Sequence, residues 1–192
     1  MSTAPPNTFP GPHARRLATG LLALHLASCE GGGDGPSLSK PRPGAELVLR
    51  VGERVPAAAE ASVVGALESR VMRSTPAFTT LVSCAAPELA FKNEERTGAD
   101  RMMTPRLCNS LRRLGARVGK EWPGLRLRVT EAWDERREHA ASSVHYEGRA
   151  ADLTTSDVDP EKLGRLGRLA VEAGLDWVYF EDRTHVHVSV RR

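Results

Sequence analysis

Of the six histidines in this 192-residue sequence, four gather in its last third: His139, His145, His185 and His187. Surface histidines scattered without purpose would not cluster so. His185 and His187 stand two apart in His185-Val-His-Val-Ser-Val190. On a strand, that spacing puts both imidazoles on one face and Val186, Val188 and Val190 on the other. Asp152 lies in a second strand candidate, Ala150 to Thr155, and shares a face with Ala150 and Thr154. Imidazoles and a carboxylate held on a rigid sheet can supply three ligands to a zinc ion and leave a fourth position open, the pattern of catalytic rather than structural zinc. Zinc lowers the pKa of a bound water to about 7. Amide hydrolysis then needs a base that passes the proton to the leaving amine. Glu181, just before the turn that leads to His185, can approach such a metal without ligating it. His185 can stabilise an oxyanion, and His139 is a second candidate for that role. Pairs of histidines at i, i+2 are also common by chance, so spacing alone leaves a purely structural role open.

The elements that position these residues follow from periodicity. Thr104 and Pro105 form an N-cap and first-turn pair, and Leu107, Leu111, Leu114 and Val118 recur at helical spacing up to Trp122-Pro123-Gly124. Leu125 to Trp133 alternates as a strand. Asp159-Pro160 opens a second helix with Leu163, Leu166, Leu169 and Ala170 on its apolar face, closed by Gly174. Leu175 to Glu181 and His185 to Val190 read as two strands around a turn at Asp182-Arg183. Residues 46–90 have weak periodicity and are read as one or two strands with a helix. The expected class is α+β, a mainly antiparallel sheet flanked by helices.

Hydrophobic residues make up 40% of the chain and charged ones 27%, as in ordinary globular proteins. The net charge is +3. No lysine/arginine block or basic patch with interleaved aromatics stands out, so nucleic acid is not an expected partner. Residues 1–29 read as an export leader: the basic pair Arg15-Arg16, an apolar run from Leu17, and small residues before Cys29. The run is too short for a transmembrane helix. Residues 30–45, rich in Gly, Pro and Ser, read as a flexible tether, and residues 46–192 as the folded domain. Cys84 and Cys108 remain for the exported chain, and their spacing does not say whether they pair.

Leu26-Ala27-Ser28-Cys29 resembles the lipobox of bacterial lipoproteins, which implies acylation of Cys29 and a membrane-anchored protein facing the periplasm or cell exterior. Ser143-Val-His145-Tyr-Glu-Gly148-Arg-Ala150-Ala-Asp152 resembles the Ser-x-His-x-x-Gly-x-Ala-x-Asp signature of zinc D-alanyl-D-alanine peptidases. That resemblance implies zinc ligation by His145, Asp152 and His187, with Glu181 as base. A longer resemblance, over roughly residues 46–190, is to the hedgehog N-terminal signalling domain. It rests on Phe91 to Thr104, Trp122 to Asp134, Val144 to Asp152 and Leu169 to Tyr179. It implies the zinc peptidase fold together with a calcium site.

The positions matching that calcium site are Glu94, Glu95, Asp100, Glu131 and Asp134, with the Thr130 carbonyl. Clustered carboxylates repel one another unless a hard cation neutralises them. Arg136 occupies an expected acidic position, so one calcium ion rather than two, or weaker binding, is expected. The leading expectation is a zinc metallopeptidase acting on peptidoglycan stem peptides. The alternative is a non-catalytic, zinc- and calcium-stabilised domain of the hedgehog kind that binds a protein partner at the cell surface.

Overall fold

A computed structural model describes residues 48–192. The leader, Cys29 and the tether expected from the sequence lie outside the described residues. The domain carries a six-stranded sheet in the order β1-β7-β8-β6-β5-β3. Its strands are β1 (Arg54–Val55), β3 (Leu89–Phe91), β5 (Leu127–Glu131), β6 (Ala150–Thr155), β7 (Trp177–Tyr179) and β8 (Val186–Ser189). Every pairing is antiparallel except that of β3 with β5. Two further short strands, β2 (Val82–Ser83) and β4 (Met102–Met103), pair with each other.

Two helices cover one face of the sheet. The first, α2 (Pro105–Glu121), begins where the Thr104 hydroxyl accepts from the Leu107 N–H at 3.4 Å and Pro105 sets the first turn. Its Leu107, Leu111, Leu114 and Val118 are fully buried. The second, α3 (Leu163–Glu172), follows a 3-10 turn at Pro160–Lys162 and buries Leu163, Leu166 and Leu169. These side chains meet Leu127, Val129, Leu153, Val186, Val188 and Val190 from the sheet in one apolar core. Burial of each such side chain contributes about 1.5–3 kcal/mol.

The α+β expectation holds, and so does the inward-facing valine row of β8. Several element bounds differ. In place of the one or two strands with a helix expected over 46–90, residues 48–91 supply three short strands, the five-residue helix α1 (Glu60–Val64) and a 3-10 turn at Pro76–Thr80. The strand expected from Leu125 to Trp133 is confined to Leu127–Glu131 and carries a bulge between Val129 and Glu131. That bulge leaves Thr130 and Glu131 both facing the open side of the sheet, where both line the same groove.

Cys84 and Cys108 form a disulfide across a sequence separation of 24. It closes a loop that holds Glu94, Glu95 and Asp100. Among the described residues, no helix is long and apolar enough to cross a membrane.

Candidate metal centre

The open face of the sheet brings the predicted ligands together. Asp152 and His187 are directly opposite each other in the β6–β8 ladder. His145 arrives from a 3-10 turn (Val144–Glu147) that leads into β6. The turn starts with the Ser143 hydroxyl accepting from the His145 N–H at 3.2 Å. It ends at Gly148, whose φ of +64° suits glycine, and a Cβ there would stand 2.7 Å from Leu81 Cδ2. The serine and glycine of the signature are therefore the two ends of the turn that aims His145.

The three donor atoms form a small triangle. His145 Nε2 lies 3.3 Å from His187 Nδ1 and 3.5 Å from Asp152 Oδ1, and His187 Nδ1 lies 3.0 Å from Asp152 Oδ1. One face of a tetrahedron with metal–ligand bonds near 2.0–2.1 Å has edges of about 3.3 Å. These residues therefore fit a small divalent ion. Their remaining ring nitrogens are already engaged: His145 Nδ1 with the Ala132 carbonyl at 2.6 Å, and His187 Nε2 with Glu60 Oε1 at 2.8 Å. Such outer partners fix which nitrogen faces a metal. Glu60, from α1, was not found from sequence. It contacts His187 across 127 residues and belongs to no local motif.

Electrostatics give the same picture. Burial works against a charged Asp152, but His145, His139 and His187 outweigh it and hold the carboxyl well below its usual range. His187 is pushed up to about 10: burial opposes its charge, and Asp152 and Glu60 overcome that opposition. Burial lowers His145, which is fully enclosed. A metal binding here displaces a proton from the cluster, so the two compete.

The residues predicted to act beside the metal stand one layer out. His185 Nε2 is 3.8 Å from Asp152 Oδ1 and 3.3 Å from Glu181 Oε2. Glu181 is about half exposed. His139 stacks on His145 with ring centres 3.9 Å apart. Its Nδ1 lies 3.1 Å from Asp134 Oδ2, and its Nε2 lies 3.7 Å from Asp152 Oδ2. It is raised to about 9, because Asp152, Glu131 and Asp134 overcome the effect of burial. His139 thus joins the histidine cluster to an adjoining acidic pocket.

Glu95, Asp100, Thr130, Glu131 and Asp134 line that pocket. Burial, reinforced by Asp152 and Asp134 and relieved in part by His139, pushes Glu131 up to about 7. Burial also raises Asp100, with Glu95 adding to it. The repulsion that remains suits a cation. Two details differ from expectation. Glu94 does not enter the pocket; it pairs with Lys92 at 2.8 Å. Asp134 is wrapped by the backbone N–H groups of Arg136, Arg137, Glu138 and His139, which outweigh burial and lower it. Arg136 lines the same pocket and brings a positive charge to it.

The family described as "Hedgehog amino-terminal signalling domain" matches residues 29–189. Sonic hedgehog protein of Xenopus laevis is 52% identical over 127 residues, covering 66% of this chain and 29% of that protein. Indian hedgehog B protein of Danio rerio is 45% identical over 181 residues, covering 93% of this chain and 44% of that protein. Protein hedgehog of Drosophila hydei is 50% identical over 130 residues, covering 68% and 27% respectively. The chain thus spans less than half the length of these relatives. It belongs to the hedgehog amino-terminal signalling domain family.

Proposed function

We propose that this chain is an exported, hedgehog-type signalling domain that binds a protein partner at the cell surface. In this reading zinc is held by His145, Asp152 and His187, and one calcium ion by the acidic pocket. The observation that carries it is the way the metal centre gathers distant segments. Glu60 of α1, the Ala132 carbonyl after β5, the turn of His145 and strands β6 and β8 all converge on the same three donors. A bound metal contributes its binding free energy to this arrangement, so the partner-facing surface is fixed by the ion.

A zinc peptidase acting on peptidoglycan stem peptides is the second reading, with kinship to the D-alanyl-D-alanine peptidases. The Glu181–His185 pair favours it, because a carboxylate 3.3 Å from an imidazole can accept a proton while the ring donates to a developing oxyanion. Zinc would supply the Lewis acid there. Exposure of Glu181 and its distance of one residue from the cluster weigh against it.

Export through residues 1–29 and a lipid on Cys29 belong to the same proposal, and the family match begins at Cys29. The named relatives come from animals, which weighs against the bacterial lipobox chemistry and a periplasmic address.

The test is to incubate the zinc-loaded protein, with and without calcium, with defined stem peptides and follow cleavage by mass spectrometry. Wild type and Glu181→Ala should bind zinc equally and both leave the peptides intact. Cleavage by wild type that Glu181→Ala abolishes would establish the peptidase instead.

A further inference from the structure

Beside the metal centre, the open face of the sheet continues into a groove whose far end neither metal reading uses. Thr154 lies two residues along β6 from Asp152, a displacement of about 7 Å on a strand. Opposite it in the ladder is Arg128 of β5. His185, preceding β8, completes this second rung; Lys92, following β3, lines the groove at the level of Thr130, with exposed Val158 as an apolar wall. One end of the groove is thus the metal centre, at Asp152 and Glu131, and the other is cationic.

One observation marks the cationic end as built to receive something. The Thr154 hydroxyl is buried and hydrogen-bonds to nothing among the described residues, although Thr154 lines the groove. A buried hydroxyl without a partner costs about 1–3 kcal/mol, a penalty removed when an acceptor reaches it. Arg128 has no carboxylate partner among the described residues.

We propose that Arg128 and Thr154, with Lys92 beside them, form a subsite for the carboxylate of a peptide ligand lying along the groove. The guanidinium fork matches two planar oxygens, and the Thr154 hydroxyl supplies a third donor. The surrounding charges select a monoanion. Lys92 already shares its charge with Glu94, and His185 faces Glu181 and Asp182. Asp152 and Glu131 close the other end and repel a doubly charged group. The separation from the metal rung corresponds to about two residues of extended peptide, so a chain whose C-terminal carboxylate sits on Arg128 passes over the metal centre. The proposal rests on the same sheet face as the binding role above and names the chemistry of its ligand.

The probes are N-acetyl-Gly-Gly-Ala with a free carboxylate, its C-terminal amide, and amidated N-acetyl-Gly-Asp-Gly. Each is titrated calorimetrically, at up to millimolar concentration, into the whole chain with and without zinc. The free acid should bind roughly tenfold more tightly than its amide, as expected for a charge-assisted fork. Arg128→Gln should remove that preference and Arg128→Lys retain part of it. Zinc affinity, read separately by chelator competition, should not change in either variant. Thr154→Val should weaken the acid while raising Tm, because the orphaned hydroxyl is gone. Preference for the Asp peptide over the free acid would assign the subsite to an acidic side chain of a partner. Equal binding of acid and amide, no binding of either acidic probe, or an unchanged preference in Arg128→Gln overturns the proposal. Absence of zinc binding alongside an intact acid preference would sink the metal reading and leave the subsite standing.

Discussion

The histidine centre and the acidic pocket share His139 as a wall, yet they are built in opposite ways. The histidine centre takes Asp152 and His187 from paired strands, so the ladder sets their separation and the donor atoms already stand 3.0–3.5 Å apart. The acidic pocket joins the end of β5, which supplies Thr130 and Glu131, to loops whose backbone enters the left-handed region at Asn93, Arg96 and Arg137. One of its expected carboxylates faces away, another is occupied by backbone N–H groups, and the rest repel one another. A sheet prepares a site before its ion arrives; loops store repulsion that an ion relieves.

The contrast can be broken by experiment. The largest effect is expected from His187→Ala. Losing one of three protein donors should lower zinc affinity by more than about a hundredfold, read by chelator competition, with calcium binding retained. Calcium binding lost to the same degree would mean that the two sites are one.

Replacing Cys84 and Cys108 together by serine should cost about 3.5 kcal/mol in denaturant unfolding, from the entropy of the opened loop. It should also weaken calcium more than zinc, because the freed loop carries Glu95 and Asp100 of the acidic pocket and none of the histidines. Next comes Glu60→Gln, which keeps shape but removes charge behind His187. Zinc affinity should fall roughly 10- to 100-fold with calcium unaffected.

Arg136→Asp should tighten calcium, by about tenfold or by admitting a second ion visible in the titration stoichiometry, since it exchanges a repelling cation for an oxygen ligand. The smallest effect is on pH dependence. The folded protein holds a proton on Glu131 up to about 7, above the 4.5 of an ordinary glutamate. Calcium-free protein therefore binds more protons folded than unfolded in that window, and this group's stabilising share is lost as pH rises through it. Calcium should accordingly raise Tm more at pH 8 than at pH 5, as thermal melts with and without chelator would show.

What could be read from the sequence follows this division. Helix α2 announced itself through Thr104, Pro105 and a regular leucine row, all local signals. Strands β6 and β8 did so through alternation, and with them the face shared by Asp152 and His187. Residues 48–90 stayed obscure because distant groups hold them rather than their own periodicity. The buried Arg149 guanidinium, paired with Glu147 at 2.7 Å, donates to the carbonyls of Val64, Gly65 and Ala66, more than eighty residues away. Glu60 was hidden for the same reason. Glu94 was expected in the pocket by position in a motif, and only the side chain's choice of Lys92 decided otherwise. The pairing of Cys84 with Cys108 left no trace in their spacing.

That cross-link also gives the proposed export a chemical signature. Thiols stay reduced in the cytosol and oxidise in secretory or extracellular compartments. A molecule whose acidic loop is closed in this way suits an oxidising compartment, which the proposed export would provide. Counting free thiols on the purified chain would thus report its itinerary without reference to residues 1–29.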